Sequence, residues 1–457
     1  MSSTSSSVVG GTGADAAPPR ASANPFTFSI VCVCRNEADI LPRLFESARA
    51  FMREGGRFIL VDTGSTDETT AIAREHGCEV HEVGNEYSFQ LSKVQARTIN
   101  TKLIVAGEKP VVEAGQRIFH FANARNRGST LSPTDWLLQI DAADVFEALD
   151  YRAIQGKLDA NPTASRFCYQ LWIDKERLEI QRFYDRRQNH WIGCVHEAIN
   201  WRANEHGAAL PLDGAVLRVR HLKKHNKVRN YVGGMALDHL KQPQDPRWLY
   251  YLGREFFYME RWRSALALLE RHGNMATAWA KERNGALCYC GRIYEKLGQT
   301  DKAVAAYMSA SMVEPTRREP WIRLGWYATN VNKPLLAACF AAAAMQVPYD
   351  GVFAEDCRNY EHHPHHTMYW AMMRLKRYDE AWPQLQICRK FAPDHERFVD
   401  RELDDILAAR SAAAAAVPVP PTSAAEPIAV PVKAEDTVPR RSLDSAAELD
   451  AAEAAQF

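Results

Sequence analysis

Hydrophobic residues in the first half of the chain come in short continuous runs, which are typical of buried strands. Between these runs, apolar positions recur with the three- to four-residue spacing of amphipathic helices. Alternating strands and helices predict an α/β fold in which crossover helices join parallel strands. The predicted strands cover residues 26–33, 57–61, 79–83 and 136–140.

Two segments refine this pattern. Ser65 and Glu68 have the spacing of a capping box, so we expect a helix to begin there. Residues 85–118 interrupt the alternation with weak periodicity. An insertion of this length is typical of a lid or a binding loop, and a surface excursion without a role is the alternative.

The second half of the chain is helical throughout and repeats. Leu252-Gly253, Cys290-Gly291 and Leu324-Gly325 recur at about the 34-residue period of tetratricopeptide repeats, where small residues let paired helices approach closely. Such arrays usually dock a protein or another partner, and a purely stabilising buttress is the alternative. The histidine-rich segment 361–366, which contains Pro364, is expected to be a loop between repeats.

The composition indicates the class of protein and where its domains begin and end. Lys and Arg total 56, as do Asp and Glu, so a protein that binds polyanions over its whole surface is disfavoured. Ten cysteines without metal-ligand spacing, no apolar run long enough for a membrane and an amino-terminal segment without signal-peptide features favour a cytoplasmic protein. The predicted units are a low-complexity tail (1–25), an α/β domain (26–235), a helical domain (240–405) and an Ala/Pro-rich tail (411–457).

Polar residues follow several predicted strands directly. Arg35 and Asn36 come after the first strand, Asp62 after the second and Asp141 after the fourth. In open α/β sheets, ligands bind beyond the carboxyl ends of the strands. These side chains are therefore candidates for one shared site.

Five motifs occur in an order that resembles glycosyltransferase family 2. The resemblance covers about residues 26–225 and implies a GT-A fold, a Rossmann-like domain that binds a nucleotide sugar. Tetratricopeptide-like repeats follow it here. The motifs lie at residues 29–38, 61–69, 121–126, 136–144 and 195–197.

The resemblance implies a set of donor-binding residues. The alternative role of Asp67 is to stabilise the start of a helix. Arg125 and Asn126 would either reach the pyrophosphate or hold the aspartate loop. Arg182 would either stabilise the phosphates or be an ordinary charge at the sheet edge. The implied donor-binding residues are Arg35, Asn36, Glu37, Asp62, Asp67, Arg125, Asn126, Asp141 and Arg182.

The resemblance also implies a Mn²⁺ or Mg²⁺ ion held by an Asp-x-Asp turn. This chain has Ala143 where the second aspartate is expected, followed by Asp144. Three explanations stay open: Asp144 replaces the missing ligand, Asp141 and a later histidine hold the metal weakly, or the alanine is a deliberate change that disables catalysis. The implied ligands are Asp141, Asp144 and His221.

An inverting transfer needs a general base, and the resemblance places it at Glu197, with His196 beside it as orienter or alternative. The competing role for Glu197 is a helix cap or an ion pair with Arg182 or Arg186. The basic residues between 218 and 229 would close over the diphosphate, follow a nucleic-acid backbone or serve as a solvated linker.

The sequence thus predicts an inverting, metal-dependent transferase that uses a nucleotide sugar, UDP-linked in the first instance. The acceptor is left open among a hydroxymethylated DNA base, a peptide and a glycan, with the repeats positioning it. The alternative is a catalytically impaired protein that binds a nucleotide sugar and recruits a partner through its repeats. Ala143 favours the alternative, and the motif around Glu197 favours the enzyme.

Overall fold

A computed structural model describes residues 25–173, 176–201, 208–222, 231–349 and 356–415. The strands are β1 (Phe28–Cys34), β2 (Arg57–Asp62), β3 (Glu79–Glu82), β4 (Ser88–Gln90), β5 (Arg117–Phe119), β6 (Trp136–Ile140), β7 (Asp144–Leu149), β8 (Ala164–Ile173), β9 (Glu176–Asp185), β10 (Asn189–Ile192), β11 (Ala198–Trp201), β12 (Ala208–Pro211) and β13 (Leu217–His221).

The helices are α1 (Leu41–Arg53), α2 (Thr69–Glu75), α3 (Lys93–Leu103), α4 (Phe121–Leu131), α5 (Tyr151–Ala160), α6 (Val232–Lys241), α7 (Pro246–Tyr258), α8 (Trp262–Gly273), α9 (Ala280–Lys296), α10 (Thr300–Val313), α11 (Glu319–Asn330), α12 (Pro334–Gln346), α13 (His362–Arg374), α14 (Tyr378–Phe391) and α15 (Glu402–Ala415).

Nine strands of the described residues form one mixed sheet. Its first half, in the order β3-β2-β1-β6, is parallel as predicted. Its second half is not, because β9 runs antiparallel to both β6 and β8. Strands β8 and β9 are separated by two residues, and a connection this short joins antiparallel neighbours. The sheet continues through β13 to β7, with β12 beside β8.

The predicted capping box after β2 is wrong. Helix α2 begins at Thr69, and Glu68 caps it without a side-chain hydrogen bond. Ser65 instead donates its hydroxyl hydrogen bond to Asp62 at the end of β2. The Ser side chain thus stabilises the loop, and a reciprocal capping box occurs at Ser92 and Gln95 of α3.

The insertion at residues 85–118 is a structural joint between the sheet and the helical region. It contains β4, α3 and β5, and its Leu91 and Ile99 share one buried core with Leu249 and Tyr251 of α7. Glu108 also accepts hydrogen bonds from the start of α8. Neither a surface excursion nor a separate lid describes a segment whose apolar side chains are buried in this way.

The helical region is built from consecutive antiparallel pairs, α7/α8, α9/α10, α11/α12 and α13/α14, as the repeat period predicts. The first helices of successive pairs also contact one another. Gly291 of α9 lies where a side chain would collide with Tyr307 of α10. A small residue is therefore required at this repeat position, as the sequence indicated.

A Gly291→Ala variant is expected to be destabilised by about 1–3 kcal/mol, the usual cost of overpacking a core. A Cβ atom there would lie 2.6 Å from Cζ of Tyr307. Gly156→Ala in α5 is the control, because its Cβ atom would meet nothing within 4 Å and alanine favours a helix by up to about 1 kcal/mol. Urea denaturation measures both, and an unchanged Gly291→Ala midpoint would contradict the close approach.

Two of the predicted domain boundaries fall within helices, and one predicted loop is a helix. Helix α6 runs through the predicted junction between residues 235 and 240, and α15 continues to Ala415, within the segment assigned to the tail. The histidine-rich segment is not a loop, since α13 begins at His362 and includes Pro364 in its first turn. Residues 1–24 and 416–457, which carry most of both predicted tails, lie outside the described residues. Among the helices described, none combines the length and apolarity that crossing a bilayer requires.

Candidate functional site

The carboxyl ends of β2, β1 and β6 meet at one edge of the sheet. Asp62 is level with Cys34 of β1, and Ile140 of β6 is level with Cys32 of the same strand. Neighbouring strands are about 4.8 Å apart, so the ends of β2 and β6 lie about 10 Å from each other. Asp62 and Asp141 therefore border one edge, as predicted.

Asp62 organises the loop that follows β2. Its buried carboxylate accepts hydrogen bonds from the backbone N–H of Gly64 (3.1 Å) and Ser65 (3.1 Å). Gly64 has a φ of 93°, a left-handed conformation that glycine adopts without steric cost. Hydrogen bonds from Gly64 and Ser65 thus engage both side-chain oxygens of Asp62, and the carboxylate fixes the shape of this loop.

The loop after β1 is tied to the loop after β2. Asn36 accepts a hydrogen bond from Thr66 N–H at 2.7 Å and donates its own N–H to Ser65 Oγ at 2.8 Å. Asp67 accepts from the N–H groups of Ala38 (3.3 Å) and Thr69 (3.1 Å). The role of Asp67 in this structure is to join two loops, in addition to starting a helix.

Two further predicted donor residues border these loops. The N–H of Glu37, which is buried, donates to Thr69 Oγ1 at 2.8 Å. Arg35 is at the surface and donates to Asn85 Oδ1 at 3.2 Å. Both residues thus lie at the edge where Asp62 ends its strand.

Arg125 is the centre of the site. This α4 residue is 6% exposed and donates from Nε to Glu197 Oε1 (2.6 Å) and from Nη2 to Asp141 Oδ1 (2.9 Å). Its guanidinium also lies over the Trp191 ring, 4.9 Å from the centroid. The third nitrogen, Nη1, is buried without a hydrogen-bond partner among the described residues. An unsatisfied buried donor of this kind marks a position where a ligand oxygen fits.

A second arginine completes the grip on Asp141. Arg182 of β9 is buried and donates from Nη1 to Asp141 Oδ2 at 2.7 Å. Burial by itself raises the pKa of the Asp141 carboxyl, but Arg182 and Arg125 outweigh burial and hold this pKa well below its usual range. Asp141 is therefore ionised at neutral pH. Its side chain is still 28% exposed, so it remains accessible to a ligand.

Asp141, Asp144 and His221 bring three potential ligand atoms within 4.8 Å of one another. Asp144 Oδ2 accepts from the Asp141 N–H at 2.8 Å, and Asp144 Oδ1 contacts His221 Nδ1 at 2.8 Å. Burial lowers the pKa of His221, but the hydrogen bond with Asp144 outweighs it and the pKa lies above its usual value. His221 reaches this place because β13 pairs with β7, which sets it directly opposite Asp144.

The segment that carries Glu197 is held by the helical region. Arg247 of α7 donates from Nε (2.9 Å) and Nη2 (2.6 Å) to the carbonyl oxygen of His196. The ring of His196 stacks on Tyr251 with centroids 4.6 Å apart. Glu197 itself pairs with Arg125, so the ion pair that was its competing role forms with a different arginine from the two named in the sequence analysis. The contacts of His196 include Arg247 and Tyr251 of the helical region.

The predicted role of Asn126 in donor binding also needs revision. Its amide donates to the carbonyl oxygen of Trp191 at 2.9 Å and accepts from the Trp191 N–H at 2.9 Å. Both functional groups therefore fix α4 to β10. Of the two roles proposed for the Arg125-Asn126 pair, Arg125 holds the aspartate loop and Asn126 supports the strand beneath it.

The basic stretch after residue 217 is described only in part. Arg218 and Arg220 both pair with Glu147 of β7, at the surface of the sheet. The other basic residues of that stretch lie at 223–229, outside the described residues. Sequence reasoning missed Trp191, Arg247 and Tyr251. Trp191 packs against Arg125, and the other two contact His196 from a distant helix, so no local motif marks these roles.

The fold and the site define an α/β domain with a cluster of acidic and arginine side chains at its strand ends, followed by paired helices. Residues 29–88 match the sequence profile of glycosyl transferase family 2, which confirms the predicted resemblance over this segment. The matched segment contains β1, β2 and the two loops that Asp62, Asn36 and Asp67 join. The chain thus has a segment that matches the family 2 profile, and paired helices follow the α/β domain.

Several solved structures are similar to part of the chain. A MamA mutant shares 17% identity and a TM-score of 0.29, over 39% of this chain and 90% of that one. YrrB, described as a TPR protein with an unusual peptide-binding site, shares 12% identity and a TM-score of 0.31, over 39% and 94%. PilF of Pseudomonas aeruginosa shares 9% identity and a TM-score of 0.32, over 37% and 72%. No curated protein matches the sequence.

Proposed function

We propose that this chain is a metal-dependent, inverting glycosyltransferase that uses a nucleotide sugar, UDP-linked in the first instance. The observation that carries the proposal is the convergence of Asp141, Asp144 and His221 beside the buried guanidinium groups of Arg125 and Arg182. A leaving diphosphate needs positive charge, and a metal site next to two arginines supplies it where the charge develops. The family 2 match at residues 29–88 supports the same class.

The donor set suits a divalent cation. Two carboxylates offer hard oxygen ligands and the histidine offers a nitrogen, a mixture that Mn²⁺ accepts and that Mg²⁺ accepts less readily. Asp141 and Asp144 lie on one tight turn, since Asp144 N–H donates to the Asp141 carbonyl at 3.0 Å. Of the three explanations for Ala143, this geometry supports replacement of the missing ligand by Asp144, with His221 as the later histidine. When bound, the metal would neutralise charge on the diphosphate.

Side chains of the protein would bind the donor and supply the general base. The joined loops around Asn36 and Asp62 form the edge on which the nucleoside would rest, and Nη1 of Arg125, which is buried without a partner among the described residues, would donate to a phosphate oxygen. We assign general-base catalysis to Glu197, whose Oε1 is engaged by Arg125. Its other oxygen would take the proton from the acceptor hydroxyl as the sugar carbon is attacked on the face opposite the diphosphate.

An Asp144→Asn variant is expected to bind Mn²⁺ at least tenfold more weakly than the wild type, a loss of about 1.4 kcal/mol. Asparagine removes one anionic ligand but can still accept from the Asp141 N–H and donate to His221. Glu147→Gln on the same strand is the control, because its partners Arg218 and Arg220 lie outside the ligand group. Calorimetric titration with MnCl₂ in the presence of UDP measures both variants.

Chelation with EDTA should abolish release of UDP from UDP-sugars, and added Mn²⁺ should restore it. Release that continues in EDTA, or Mn²⁺ affinity that Asp144→Asn leaves unchanged, would contradict the proposed metal dependence. Ala143→Asp tests the explanations of the alanine. If Asp144 already replaces the missing ligand, this variant changes Mn²⁺ affinity less than Asp144→Asn does.

A second candidate function is a nucleotide-sugar-binding protein with impaired transfer, whose repeats recruit a partner. It is favoured by the engagement of both Asp141 oxygens by arginines, since a metal must share that carboxylate with them. Thermal stabilisation by UDP with Mn²⁺, without UDP release from any UDP-sugar, would support it. At a ligand concentration of 100 times Kd, the expected stabilisation is about 2.7 kcal/mol.

A further inference from the structure

A cavity lies in the helical region, away from the strand ends. Its volume is about 500 Å³, within the usual range of small-molecule sites. It lies between α11 and α13, the first helices of two successive pairs, and His395, Arg397 and Phe398 close it from the segment after α14. The cavity therefore belongs to the repeat array and is separate from the proposed donor site.

The lining combines flat rings with neutral hydrogen-bonding groups. Trp326 and Trp370 supply indoles, and Thr329, Asn330 and Thr367 supply hydroxyl and amide groups. No Leu, Ile, Val or Met side chain is among the described residues that line it. The described walls of the cavity are therefore aromatic and polar and not aliphatic.

Four of the eleven described lining residues are histidines. Burial lowers the pKa of His362 to about 4 and that of His363 to about 3, so both rings are neutral at pH 7. His362 is 9% exposed, and its Nδ1 has no hydrogen-bond partner among the described residues. A buried ring nitrogen without a partner at a cavity wall marks a place for a polar ligand atom.

The charge of the cavity is balanced. Among the described lining residues, Arg397 is the one that is always cationic, and its Nε lies 2.6 Å from Oε1 of Glu402. The same Glu402 oxygen also contacts His366 Nε2 at 2.9 Å. With its guanidinium already paired, the cavity offers little attraction to an acidic peptide or a phosphate.

We propose that this cavity binds a neutral saccharide unit, which stacks its C–H face on the indoles of Trp326 and Trp370 and hydrogen-bonds to the neutral imidazole and amide groups. A guanidinium lies over each indole, that of Arg323 over Trp326 and that of Arg374 over Trp370, so the sugar would use the opposite face of the ring. The electron-rich face of an indole attracts the weakly positive C–H groups of a sugar ring. Sugar hydroxyls both donate and accept, which matches neutral histidine, asparagine and threonine side chains.

The position of the cavity defines which sugar it would hold. The chain of contacts from α7, beside Glu197, passes through α9 and α11 to α13. At about 8–10 Å for each packed pair, two to three steps separate the cavity from α7, on the order of 20–30 Å along the array. A saccharide bound here would be a distant unit of an extended glycan acceptor, and this assignment, unlike the binding itself, rests on the proposed function.

The test is titration of the full chain with neutral trisaccharides of glucose, mannose, galactose and N-acetylglucosamine, without nucleotide or metal. Tryptophan fluorescence and calorimetry report binding. At least one sugar should bind, and Trp370→Ala should weaken it at least tenfold. Asn330→Ala, at an exposed lining position, should weaken it without disturbing the fold. Trp279→Ala, which removes an indole that is 44% exposed and outside the lining, should leave affinity unchanged.

Failure of every trisaccharide to bind, or equal affinity in the wild type and both lining variants, would overturn the proposal. Binding of acetyl-Leu-Phe-Leu-amide with no sugar bound would also overturn it and assign the cavity to peptide side chains. Because the titration contains neither donor nor Mn²⁺, its result is independent of the transferase assay. Absence of sugar transfer would overturn the acceptor assignment and leave the binding result in place.

Discussion

A Glu197→Gln variant is expected to transfer sugar about 10²- to 10⁴-fold more slowly than the wild type, the usual contribution of a positioned general base. Glutamine retains an oxygen that accepts from Arg125 Nε but cannot take a proton from the acceptor hydroxyl. Binding of UDP with Mn²⁺ should persist, because the ligand atoms of Asp141, Asp144 and His221 are unchanged. Release of UDP measured by mass spectrometry gives the rate, and thermal shift gives the binding.

The control for this variant is Glu147→Gln, which removes another glutamate charge that is paired with arginine, on the outer part of the sheet. It should leave the rate within a factor of two or so of the wild type, as surface pairs contribute little. A Glu197→Gln rate within tenfold of the wild type would contradict the role of base. Loss of UDP binding together with rate would assign Glu197 to maintaining the site through Arg125.

The sequence predicted the parallel half of the sheet because local patterns encode it. Continuous apolar runs gave β1, β2 and β6, and polar residues at their ends marked the edge where Asp62 and Asp141 lie. The antiparallel half depends on pairings between distant segments, such as β13 with β7, which no local periodicity reports. His221 was nevertheless predicted as a metal ligand, through the resemblance to the family and not through spacing.

The errors near the site share one cause: a side chain had more than one available partner. Ser65 has capping-box spacing to Glu68, but the Asp62 carboxylate competes for its hydroxyl group. His196 is adjacent to Glu197 in sequence, but the left-handed φ of 49° at His196 accompanies a ring that stacks on Tyr251 of the helical region. Partners from elements far along the chain decide such competitions, so sequence neighbours were poor guides.

The histidine-rich segment shows the same limit in the repeats. Pro364 suggested a loop, yet a proline in the first turn of a helix removes no hydrogen bond, because the first N–H groups have no acceptor within the helix. The missed helix start placed His362, His363 and His366 on a wall of the cavity. A proline by itself therefore does not show whether a helix ends or begins at that position.

An Arg125→Met variant is expected to lose about 3–5 kcal/mol of unfolding free energy, the usual effect of removing one partner from a buried ionic group. Methionine roughly fills the volume of the arginine stem but leaves the buried Glu197 carboxylate without its cation, while Asp141 keeps only Arg182. Urea denaturation followed by circular dichroism measures the loss in the absence of ligands.

Arg49→Met supplies the matched comparison, since Arg49 is also a helical arginine paired with a glutamate, Glu46, but both side chains are about half exposed. Its expected cost is at most about 0.5 kcal/mol, because water and salt screen such pairs. If Arg125→Met unfolds within 1 kcal/mol of the wild type, Arg125 is not the central support of the site. A large loss of unfolding free energy for Arg125→Met alone means that the guanidinium that fixes Glu197 and Asp141 also stabilises the domain. This would explain why one buried arginine links the proposed base to the proposed metal turn.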